Sequence, residues 1–154
     1  MRHPTDNYFD DEFVSYRMLY PQERMTVIPA PLYAYFINYS GLTKKKWTPK
    51  LLDAWVAYEK QIAFFREKGE RELVRFRYRG YLENAMVNHA AAQQAEETPE
   101  ILEARKKIRR RIRQVLRRMH REGFLEFWID YDILEEFCPL QARVYRFWLD
   151  KVKG

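Results

Sequence analysis

Cysteine, histidine and glycine are all scarce in this sequence. A single cysteine, Cys138, excludes a disulfide within the chain, and with three scattered histidines it offers no zinc-ligand spacing. The lone thiol fits a reducing, intracellular setting. The five glycines form neither a Walker loop nor a dinucleotide fingerprint, so nucleotide hydrolysis is not expected. No apolar run approaches the roughly 18 residues of a membrane-spanning helix, and the N-terminal residues hold no signal-peptide core. The acidic start also argues against an ordinary cleavable mitochondrial presequence. Serine, cysteine and histidine never meet in a recognisable nucleophile context. The paired acids Asp10-Asp11, Asp130 with Asp132, and Glu135-Glu136 lie in charged stretches, where carboxylates are solvated or paired with cations. The sequence therefore predicts a chain without catalytic residues, cofactor or metal.

What remains is rich in rings and charges. Of 154 residues, 32% are charged and 16% aromatic, which is too aromatic for a disordered chain and suits a helical one. Eleven Tyr, ten Phe and four Trp exceed the needs of a small core, and Tyr, Trp and Arg are the residues that anchor interfaces. A net charge of +6 permits nucleic acid, anionic lipid or acidic proteins as partners.

Residues Leu102 to Arg121 carry the sharpest pattern. Leu102, Ile108, Ile112, Val115 and Met119 form an apolar helical stripe, and Lys106, Arg110, Arg113 and Arg117 occupy the opposite face. Acidic residues follow at once, from Glu122 to Glu136, and are placed to neutralise that face. Upstream, Thr48-Pro49 is a good helix start. From it Leu51, Trp55, Tyr58, Ile62, Phe65, Gly69, Leu73, Phe76 and Gly80 recur at helical steps, continuing to about Ala95. An unbroken helix there would be about 70 Å long, so it either breaks near Gly69 or Gly80 or projects beyond the body. A second, less regular apolar set, Val56, Phe64, Val74, Tyr78 and Tyr81, lies off the main stripe. The short link to Thr98-Pro99 turns the basic helix back antiparallel, and Gly123 is placed to end it.

Four prolines, Pro4, Pro21, Pro29 and Pro31, predict that residues 1–31 form an extended arm. Its aromatic residues Tyr8, Phe9, Phe13, Tyr16 and Tyr20 are too apolar for solvent and are expected to bind a partner, as are Lys106, Arg110, Arg113 and Arg117. Residues 32–154 read as one helical domain, with a short aromatic helix near residues 32–39, the hairpin at 49–121, a loop or short helix at 124–137, and a C-terminal helix at 139–153. The expected fold class is mostly α, a long helical hairpin with an aromatic arm.

Pro31-Leu32-Tyr33-Ala34-Tyr35-Phe36-Ile37 resembles the opening of an HMG box, a DNA-bending domain, over seven residues. The resemblance implies DNA binding. Neither Arg17-Met18-Leu19-Tyr20 nor Val144-Tyr145-Arg146 completes the Leu-Tyr-Arg signature of small mitochondrial helical proteins, so no family is assigned. In general character the chain resembles accessory subunits of mitochondrial complexes such as ATP synthase or the respiratory enzymes. The expected function is a non-catalytic accessory subunit held by other proteins of a large assembly, with a mitochondrial setting suspected. The alternative is a nucleic-acid binder, ribosomal accessory or HMG-like, using the basic helix 105–121 on RNA or DNA. Peripheral membrane contact through that helix is also left open.

Overall fold

Proline and glycine placement sets where the helices start and stop. The computed structural model describes residues 9–26, 29–30 and 46–153. Among them lie six helices and a 3-10 turn, Pro49–Asp53, and no strand. The helices are α1 (Asp10–Leu19), α2 (Ala54–Glu67), α3 (Arg71–Gln94), α4 (Pro99–Arg121), α5 (Phe127–Phe137) and α6 (Pro139–Lys153). The protein is mostly α, as its sequence implies. The aromatic helix expected near residues 32–39 lies outside the described residues.

The N-terminal segment departs from expectation. Residues 10–19 are a helix, not part of an extended arm, because Pro4 and Pro21 bracket a proline-free run in which every amide can donate. Asp11 and Glu12 fall near its positive end and Arg17 in its last turn, as the helix dipole favours. Phe13, Val14 and Tyr16 are buried. Tyr16 and Tyr20 meet Phe64 of α2 edge-on at centroid distances of 5.1 and 5.4 Å. Gln61 of α2 and Arg77 of α3 both donate to Glu12 Oε2, at 2.8 and 3.0 Å, so α1 is tied to two helices of its own chain.

Of the two candidate break points, Gly69 is the break. Its φ of +76° is the left-handed conformation that ends a helix. The Gly69 amide donates to Arg66 O and the Glu70 amide to Phe65 O, which satisfies two carbonyls of the last turn of α2. Gly123, at φ +70°, ends α4 with the same pair of bonds, to His120 O and Met119 O. Gly80 has a different use: it stays inside α3, where a Cβ would approach the Tyr58 ring to 3.3 Å.

The break makes α2 and α3 an antiparallel pair, and α4 returns along α3 within side-chain reach of α2. Thr98 begins α4 by accepting the Ile101 amide at 3.2 Å. Arg105 closes the far end of α3, donating to Ala92 O and Ala95 O, carbonyls that have no helical partner left. Glu59 of α2 accepts directly from Arg111 and Arg118 of α4 at 3.1 and 2.7 Å. The core between these helices holds Trp55, Ile62, Phe65, Tyr78, Tyr81, Ile108, Ile112, Val115, Leu116 and Met119.

Resetting the helical phase at Gly69 also moves the apolar stripe. Trp55, Ile62 and Phe65 are buried as expected, but Leu73 and Phe76 are exposed. The secondary set supplies the core of α3 instead, through Val74, Tyr78 and Tyr81, joined by Leu82 and Ala85. In α4 the stripe likewise starts at Ile101 and Ala104, leaving Leu102 exposed.

Candidate interaction surfaces

At 100° per residue, Lys106, Lys107, Arg110, Arg113, Gln114, Arg117 and Arg121 fall within about a third of the circumference of α4. All seven are exposed. Ile101, Ala104, Ile108, Ile112, Val115, Leu116 and Met119 lie opposite them and are buried. From Ala104 to Arg121 the chain contains no acidic residue. The other cations of this helix are occupied: Arg105 on carbonyls of α3, Arg109 against the Phe137 ring, and Arg111 and Arg118 on Glu59. Lys107 and Arg121 belong to the outer face although their spacing hid them from the four-residue pattern; a full helical wheel finds both.

Among the described residues, no acid of the segment from Glu122 to Glu136 forms an ion pair with this face. Glu122 pairs with Arg66 of α2 at 2.7 Å, and Glu126 pairs with Arg75 and Arg79 of α3. Asp130, wholly buried, takes both terminal nitrogens of Arg79 and the Glu126 amide. Arg75 holds the Glu126 carboxyl below the usual carboxylate range. The reason is the turn at Gly123, which carries the chain across α3 so that α5 presents its acids there rather than along the outer side of α4. On that side Lys106 meets only Glu103, one turn away at 3.6 Å and exposed, a pair of small worth. Arg113 donates through Nε to Phe137 O at 3.0 Å. Lys107, Arg110, Arg117 and Arg121 make no ion pair among the described residues. Lys107 and Arg110 also line an open cleft of about 630 Å³ against Pro49 and Leu52.

The aromatic residues expected at a partner surface are mostly spent inside the chain. Phe13 and Tyr16 are buried, and Tyr20 is half-buried with its hydroxyl donating to Glu70 at 2.7 Å. Phe9 is half-buried just ahead of α1, and Tyr8 lies outside the described residues. Exposed apolar side chains appear instead on α6, as Leu140, Val144 and Phe147, and on α3. Leu73, Phe76 and Val87 share one narrow face of that helix, with Phe76 and Val87 64% and 67% exposed. Leu73 and Phe76 are the displaced part of the predicted packing stripe.

Comparison of the chain with family models, curated proteins and solved structures finds no match. The surfaces therefore have to be read from their own chemistry. Among the described residues no helix is long and apolar enough to cross a membrane. No group of three or more His, Cys, Asp or Glu side chains gathers there to hold a metal. Burial pushes the Cys138 thiol up, away from the reactive thiolate form. Burial also lowers His89 below its ordinary value despite Glu136 at 3.9 Å, and its ring stands edge-on to Phe137. Both groups sit where α5 meets the hairpin.

Proposed function

We propose that this chain is a non-catalytic helical subunit of a larger assembly. The observation that carries the reading is the outer face of α3. Leu73, Phe76 and Val87 lie within about 60° of one another on one side of the helix, and all three are exposed among the described residues. Single exposed apolar residues are ordinary; three large ones aligned on one helix are the pattern of an amphipathic element awaiting a neighbour. The α2–α3–α4 core and its ion pairs then serve as a rigid mount for that face.

The test is the fraction of the chain that migrates as part of a large complex when extracts of its native source are separated by size. Phe76→Glu with Val87→Glu should move the chain to the free pool. Because both side chains are exposed, the purified variant should melt within a few degrees of the parent. A wild-type chain found only as a free monomer would refute the reading, as would a double variant that stays in the complex.

A further inference from the structure

We propose that the outer face of α4 docks on the phosphate backbone of double-stranded RNA. The inference rests on reading the chain as an interaction subunit, but it concerns a different surface and a different partner from the apolar face of α3. Lys106 to Arg121 spans about 22 Å along one side of the helix. Of the six cations on it, Arg110, Arg113, Arg117 and Arg121 carry planar guanidinium groups, which suit phosphate oxygens better than a point charge does. Three of the acids that could have cancelled them, Glu122, Glu126 and Asp130, are committed to Arg66, Arg75 and Arg79 instead.

The composition of the face selects among polyanions. A membrane-surface helix needs an apolar side to insert, and that side of α4 is buried against α3. A protein interface has a core depleted in charge and anchored by aromatic side chains, whereas here Lys107, Arg110, Arg113, Gln114 and Arg117 follow one another with no ring between them. Single-stranded nucleic acid is held by stacking on aromatic platforms, which this face also lacks. A duplex backbone asks only for cations in a row. Within duplexes, the wide B-form major groove accepts a whole helix of about 10–12 Å diameter. The phosphates bordering so wide a groove stand far apart, so cations confined to about a third of the circumference of α4 reach one border at a time. The narrow major groove of A-form RNA presents its bordering phosphates to a helix that stays outside, which is what α4 can reach.

The experiment is titration of a labelled short RNA duplex with the full chain, read by fluorescence anisotropy at several salt concentrations. About four phosphate contacts, by Lys107, Arg110, Arg117 and Arg121, give a slope of log K against log salt near −3.6, about a 100-fold loss between about 50 and 200 mM salt. Arg110→Gln with Arg117→Gln should bring the slope nearly two units closer to zero and weaken binding at low salt by at least about tenfold. Both residues are exposed and glutamine keeps the helix, so circular dichroism should show an unchanged fold. Phe76→Glu with Val87→Glu should leave RNA binding as it was, which separates this proposal from the one that concerns α3. The proposal is overturned if RNA binding at about 50 mM salt is weaker than about 100 μM. It is equally overturned if DNA duplexes, single strands, phosphatidylserine vesicles or polyglutamate bind as tightly as the RNA duplex, or if Arg110→Gln with Arg117→Gln leaves the slope unchanged.

Discussion

Removing the Arg79 guanidinium tests how α5 is fastened to the rest of the chain. Asp130 is fully buried, and its carboxylate has three donors: the two terminal nitrogens of Arg79, one of them at 2.9 Å, and the Glu126 amide at 2.7 Å. Arg79→Met keeps the stem length of the side chain and deletes both charged donors. A carboxylate then stays buried with one neutral hydrogen bond, and breaking a buried pair from one side costs about 3–5 kcal/mol. For a chain of this size each kcal/mol lowers Tm by about 2–4 °C, so Arg79→Met should melt about 6–20 °C below the parent in thermal circular dichroism. Taking both charges away is a different perturbation. Arg79→Met with Asp130→Leu removes the stranded carboxylate and should recover most of the loss, since replacing a buried pair by apolar groups is often neutral or stabilising. A single Arg79→Met variant that melts within about 1 kcal/mol of the parent would refute the assignment of Asp130 as a buried charge held by Arg79. A double variant less stable than the single one would refute it too.

Two further outcomes follow from the same geometry. Gly69→Ala has open space around the new Cβ but must hold φ near +76°, so it should lose about 1–2 kcal/mol through backbone strain alone, measurable by urea unfolding; an unchanged midpoint would mean that the turn tolerates side chains. His89 has a folded pKa below its unfolded value, so the unfolded state binds the extra proton first. Its contribution is therefore fully present above about pH 6.5 and is lost as pH falls through the folded pKa. A His89→Gln variant should show a flatter dependence of Tm on pH below that point, and an identical profile would rule out His89 as the titrating group.

Much of the fold was legible from local chemistry because local chemistry causes it. The proline at Pro99 with Thr98 before it, the glycine at Gly123 and the alternating steps of α4 act within one or two turns, and each marks the boundary or face that the structure has. The opposition of Lys106, Arg110, Arg113 and Arg117 to the buried side of α4 is likewise a property of helical periodicity. The N-terminal segment misled for a local reason: prolines were weighed across residues 1–31, while the helix needed only the stretch between Pro4 and Pro21.

Tertiary structure decided which apolar face each helix buries and which charges meet. Phe76 and Val74 are two residues apart and both apolar; only the direction of α3 after the turn at Gly69 puts Val74 inside and Phe76 outside. The ion pairs of Glu122, Glu126 and Asp130 join residues 47 or more positions away in the chain, to Arg66, Arg75 and Arg79, so nearness in sequence to α4 gave the wrong partners. The basic residues were plain in the sequence. That Lys107, Arg110, Arg117 and Arg121 make no ion pair among the described residues depended on where the turn at Gly123 sent the acids.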